Sequence, residues 1–224
     1  MSAGRQMVFD LPVRPALGRD DFFVSPANRL ALAQVDAWPA WPDGRLAICG
    51  PGGSGKTHIV HVWASRAGAR ILPAAALRSL DLARLPAGVA LAIEDADRSA
   101  DGRSAEAEEA LFHLMNHLAA SGGSLMLTGR SPPAQWRVAL PDLASRLGAA
   151  QVARLDPPDD ALLSAVLVKL FSDRQIDVGP DLITYLLARM DRSFEAAEAL
   201  VMRLDVAGLA RQRPITPRLA GEVL

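Results

Sequence analysis

Residues Gly50-Pro51-Gly52-Gly53-Ser54-Gly55-Lys56-Thr57 spell a complete Gly-x4-Gly-Lys-Thr loop, and few short stretches restrict a fold more. An apolar run, Leu46-Ala47-Ile48-Cys49, precedes it, and the residues from Thr57 to Ala64 carry helical spacing. Strand, glycine loop, helix is the context in which this pattern binds phosphate. The glycines permit backbone angles closed to residues with side chains. Successive N–H groups can then turn inward as an anion nest, and the following helix adds its unpaired N–H groups and its positive dipole end. Lys56 and Lys169 are the only two lysines, every other basic residue being arginine. A slim ammonium reaches the β- and γ-phosphates where a guanidinium fork would fit differently. Thr57 is placed to ligate Mg²⁺ through its hydroxyl, and His58 completes the candidate set. The expected ligands are ADP or ATP, with Mg²⁺.

Further strands are expected at 69–72, 89–94, 124–128 and 151–155, besides 46–49, with helices between them, the clearest at 105–119. Alternating strand and helix predicts a five-stranded parallel sheet covered on both faces, an α/β fold. After Asp156-Pro157-Pro158 the pattern changes. Segments 162–171, 181–190 and 194–210 read as helices and no strand pattern remains. The expected organisation is a tail over 1–20, an α/β nucleotide-binding domain over 21–156 and a small helical lid domain over 157–224.

Composition narrows the partners. Net charge is −1 and no long basic run occurs, which argues against autonomous high-affinity nucleic-acid binding. Contact with DNA is expected to be indirect. Cys49 is the only cysteine, so there is no disulfide framework, and a small buried residue closing a strand is its simplest reading. No signal-peptide-length or membrane-spanning apolar stretch is present, so a cytoplasmic protein without membrane contact is expected.

Three strand ends carry candidate chemistry. The apolar run from Val89 to Ile93 delivers Glu94 and Asp95 to the edge beside the loop. One acid would hold Mg²⁺ through water, and the next would orient or deprotonate an attacking water. Thr128 ends another apolar run. It either senses a γ-phosphate or holds the lytic water, or it simply bonds to nearby backbone. Arg146 and Arg192 belong to a large arginine population whose usual place is a solvated surface.

Taken in order, these segments resemble the AAA+ ATPases, specifically the DnaA/Hda group of replication-initiation proteins, over about residues 20 to 220. Phe22-Phe23-Val24-Ser25-Pro26-Ala27-Asn28 is similar to the group's opening segment, and the resemblance implies that Phe23, Val24 and Asn28 lie against adenine and ribose. Leu140-Pro141-Asp142-Leu143-Ala144-Ser145-Arg146 is the most specific match. It implies that Arg146 is a finger reaching a neighbouring subunit's nucleotide. Asp191-Arg192 matches the second sensor, implying that Arg192 touches nucleotide from the lid. In the tail, Gln6-Met7-Val8-Phe9-Asp10-Leu11 is similar to the peptide by which the group's regulatory members dock on the replication sliding clamp. Gln6 would be its polar anchor, with Met7, Phe9 and Leu11 entering the cleft.

Only residues 193–224 follow Arg192, so no helix-turn-helix DNA-binding domain is expected after the lid, and the regulatory side of the group is the better match. Glutamate at 94 and aspartate at 95 depart from the group's usual acids. Metal geometry is strict and a shorter base reaches water less well, so weak intrinsic hydrolysis is expected. The expected function is a negative regulator that docks on the clamp and stimulates hydrolysis of DnaA-bound ATP through Arg146. A homo-oligomer stays open. The rival reading is a self-sufficient ATPase, a helicase loader or clamp-loader-like remodeller. A small-molecule P-loop kinase fits the length but not the helical C-terminal part.

Overall fold

The computed structural model describes residues 23–97 and 105–224. Gln6, Met7, Phe9 and Leu11 lie outside the described residues. Five parallel strands form one sheet: β1 (Arg45–Cys49), β2 (Arg70–Pro73), β3 (Ala90–Glu94), β4 (Ser124–Gly129) and β5 (Gln151–Arg154), in the order β2-β3-β4-β1-β5. All four pairings are parallel. Every strand therefore delivers its C-terminal residue to one edge, where open α/β sheets bind ligands.

The strands are apolar on both faces because both are covered. On one face Leu91, Ile93, Leu125 and Leu127 pack against Leu111, Leu114 and Met115 of α3 (Ala105–Ser121) and against Leu143 and Leu147 of α4 (Pro141–Gly148). On the other, Leu46, Ile48, Ala92, Met126 and Ala153 meet Ala31 and Val35 of α1 (Arg29–Asp36) and Ile59, Val60 and Trp63 of α2 (Lys56–Ala67). α2 starts at Gly55 and stops at Gly68, both in the left-handed region.

The helical C-terminal part has its own core. Leu163, Leu167 and Phe171 of α5 (Asp160–Ser172) pack with Leu182 and Leu186 of α6 (Pro180–Leu187), Leu200 and Leu204 of α7 (Phe194–Arg211), and Ala220 of α8 (Pro217–Val223). Asp159, Ser193 and Thr216 cap α5, α7 and α8 by accepting N–H groups of Leu162, Ala196 and Leu219, which satisfies donors the helices leave open. The sequence pattern does not foretell the helix at 217–223. Among the described residues no helix is long and apolar enough to cross a membrane.

Candidate functional site

The phosphate loop leaves β1 at Cys49 and enters α2 at Lys56. Gly50 donates its N–H to the Gly129 carbonyl at 3.2 Å, which ties the loop's first residue to the end of β4. The Lys56 ammonium donates to the carbonyls of Gly50 (2.8 Å) and Pro51 (2.7 Å). An ammonium has three donors, so the third is left for an anion. Burial pushes the Lys56 pKa down; Asp95 and Asp97 oppose that shift and Arg130 adds to it. Burial likewise raises the Cys49 thiol, against the pull of Arg154 and Lys56, as expected of a structural cysteine.

Thr57 is exposed on the first turn of α2, next to His58. Ser54 is buried, and its Oγ has no partner among the described residues. The Glu94 carboxylate ends β3 with Oε1 buried and equally unpartnered. Asp95 sits at φ 50 and gives its N–H to Thr128 Oγ1 at 2.9 Å, while Ala96 donates to the Thr128 carbonyl at 2.7 Å. Of the roles open to Thr128, the one visible here is local: its buried hydroxyl holds the turn that carries Asp95.

Among the described residues, no three His, Cys, Asp or Glu side chains converge as a metal cage. Mg²⁺ at a phosphate site takes few protein ligands and completes its octahedron with water and phosphate oxygens. Thr57 and the orphaned Glu94 oxygen are the groups that would hold it, and bound Mg²⁺ would neutralise phosphate charge.

At the opening segment Asn28 is buried. Its Nδ2 donates to the Phe23 carbonyl and its Oδ1 accepts the Ser25 N–H, both at 2.9 Å. Asn28 thus shapes the turn, and Phe23 and Val24, 41% and 64% exposed, are the faces it presents. Asp156 donates its N–H to the Ala27 carbonyl, pinning the segment beside β5.

The start of α7 meets the loop through Ser193 and Phe194. A Cβ added to Gly53 (φ +67) would fall 2.3 Å from Ser193 Cβ, and one added to Gly55 (φ +90) 2.9 Å from the Phe194 ring. Arg192 turns to α5, its guanidinium 2.7 Å from Asp160, with both side chains more than half exposed.

Arg146 lies on α4, whose start is clasped from α3. The Glu108 carboxylate, 4% exposed, accepts the N–H groups of Ala139 (2.9 Å) and Leu140 (2.8 Å). The Arg146 guanidinium lies over the Phe112 ring at 5.5 Å. Leu143 and Leu147 anchor the helix with no exposure.

Sequence reasoning passed over Asp97, Glu108, Arg130, Ser193 and Phe194. Glu108 had a signal: it falls on the apolar stripe of Leu111, Met115 and Leu118, and a carboxylate there needs partners. Asp97 and Arg130 had a weaker one, each lying just past a strand end on the ligand edge.

No protein-family model matches the chain. The fold is the one seen in domain III of DnaA. Domain III of the Thermotoga maritima replication initiation protein DnaA superposes with a TM-score of 0.78 at 19% identity, covering 96% of this chain and 98% of that one. AMPPCP-bound DnaA from Aquifex aeolicus gives 0.69 at 19% identity, over 88% of this chain and 68% of that one. The Thermotoga maritima RuvB Holliday junction branch migration motor gives 0.64 at 18% identity, over 87% of this chain and 64% of that one.

Proposed function

We propose that this chain is a nucleotide-binding regulator of replication initiation, which docks on the DNA polymerase sliding clamp through Gln6, Met7, Phe9 and Leu11 and lends Arg146 to ATP held by DnaA. The observation that carries it is the presentation of Arg146. Its helix is clasped by Glu108 and its guanidinium rests on Phe112, with no ion pair among the described residues, so the charge is held in place yet available to a partner. An arginine delivered in trans is worth about 10³–10⁵ in rate, or about 4–7 kcal/mol of barrier.

In the chain's own site, the groups proposed to hold ADP or ATP are the loop from Gly50 to His58, including Pro51, Gly52, Ser54 and Lys56, with Phe23 and Val24 towards the base. Thr57 and Glu94 are proposed for Mg²⁺. That a DnaA of this fold holds AMPPCP supports the nucleotide reading, as do the loop-bound Lys56 and the orphaned Ser54 Oγ. Arg192 would reach a nucleotide only by leaving Asp160. Asp95 on its left-handed turn is the candidate base, and slow intrinsic turnover is expected.

The test is DnaA–ATP turnover with clamp and DNA present. Arg146→Ala should remove the stimulation, and turnover equal to wild type rejects the finger. Deleting residues 1–11 should abolish clamp binding, and retained affinity rejects the docking peptide. Fast ATP turnover by the isolated protein would instead favour a self-sufficient remodeller.

A further inference from the structure

We propose that the outer groove of α5 is a docking surface for this chain's own tail, and that Met7, Phe9 and Leu11 must leave it to engage the clamp. The inference rests on the clamp docking proposed above. α5 is apolar on two sides. Leu163, Leu167 and Phe171 enter the helical core. Turned away from that core, Ala161, Ala165 and Val168 line a groove of about 630 Å³ together with Phe23. Sites for small apolar ligands run to about 300–1,000 Å³. Val168 is 50% and Phe23 41% exposed, so among the described residues this apolar surface faces water. Alanine at 161 and 165 leaves depth beside Phe23 that longer side chains would fill. Lys169 and Asp173, paired over 3.3 Å, give the groove a polar rim.

Length separates this groove from a nucleotide-base subsite. Asp160, at the start of α5, pairs with Arg192, the neighbour of Ser193, which packs on Gly53 of the loop. From Ala161 to Asp173 the helix runs about 18 Å away from that end. A base covers only the near end of such a groove. The tail enters at its lip. Phe23 is both a wall of the groove and the first described residue after the tail. Leu11 lies twelve positions before Phe23, and a chain of that length reaches at most about 40 Å, more than the whole groove. Met7, Phe9 and Leu11 alternate with Val8 and Asp10. An extended peptide turns alternate residues to one side, and its four steps from Met7 to Leu11 cover about 13 Å, which the groove accommodates. Tethering holds such a segment at millimolar effective concentration, so weak contacts suffice to keep it there. The same three side chains cannot fill groove and clamp at once, and docking in the groove therefore lowers clamp affinity.

The experiment places the photoreactive p-benzoylphenylalanine at position 9 of the whole chain and maps its cross-links by mass spectrometry, without and with clamp. Without clamp, cross-links should fall on residues 161–173 of the same chain, and adding clamp should move them to the clamp. Val168→Glu, at an exposed position, should remove the groove cross-links. In the chain with Phe9 restored, the same substitution should tighten clamp binding about two- to ten-fold. Cross-links elsewhere in the chain, or none, overturn the inference. Cross-links only between two chains overturn it too and make a second copy the occupant. Unchanged clamp affinity in Val168→Glu overturns the competition between groove and clamp. Groove cross-links in a chain that never captures the clamp support the docking surface and reject the clamp reading.

Discussion

Phe194 donates its backbone N–H to the Gly53 carbonyl over 3.0 Å, and this bond fastens the first turn of α7 to the phosphate loop. The two glycines beneath that turn have no room for a side chain. Gly53→Ala places its Cβ against Ser193 and puts alanine at positive φ, so α7 must lift. Overpacking of this kind costs about 1–3 kcal/mol. Urea denaturation should show that loss, and release of a fluorescent ADP analogue should quicken. A midpoint equal to wild type would mean the contact is not kept in solution.

Glu108→Ala tests how Arg146 is presented. The change removes the acceptor of two part-buried N–H groups, those of Ala139 and Leu140, which water can replace in part, so a loss of about 1–3 kcal/mol is expected in urea. Glu108→Gln keeps an acceptor oxygen and should lose less. The chain's own affinity for ADP should change little, because α4 contributes no group to the loop. Stimulation of DnaA–ATP turnover should fall, because α4 loses the clasp that sets the direction of Arg146.

The sheet was legible because its determinants are local. The apolar runs that lead to Cys49, Glu94 and Thr128 are short, unbroken and bounded by turn residues, as strands covered on both faces are, and the glycine loop singles out one edge of the sheet for a phosphate. What stayed hidden depends on tertiary approach. Nothing near Phe194 says that its ring will sit over Gly55, and nothing near Arg192 says that Asp160, a helix away, will draw it off. Asp97 and Arg130 are joined across two strand ends and are far apart in the chain. The short helix after Pro217 carries too few apolar residues for a period to show, and it folds where Leu219 and Ala220 find a core already built by α6 and α7.

The Arg192–Asp160 pair offers a direct test of the lid. It is an exposed bridge, a class worth about 0.2–1 kcal/mol. If Arg192 serves the nucleotide, it must exchange this partner for phosphate. Asp160→Ala would then remove the competitor and raise ADP and ATP affinity by up to about five-fold, while Arg192→Ala would lower it. Equal affinities in wild type and both variants, measured by calorimetry, would leave Arg192 as a surface bridge and Ser193 and Phe194 as the lid's working residues.

Lys56 should make nucleotide binding depend on pH in a defined direction. Burial lowers its pKa from 10.5, more than Asp95 and Asp97 restore. In the free protein the proton therefore leaves at a lower pH than in the unfolded chain. Between those two values the unfolded state holds more protons, so the contribution of Lys56 to stability rises with pH there. A bound phosphate favours the ammonium and raises its pKa again. Affinity for ADP should thus be flat near neutrality and fall as pH climbs through the lowered value, with a proton taken up on binding in that window. Calorimetry in two buffers of different ionisation enthalpy reads the uptake directly. Lys56→Met should abolish both the nucleotide affinity and this alkaline rise in stability. Binding without proton uptake across the alkaline range would show that the ammonium is not the group that meets the phosphate.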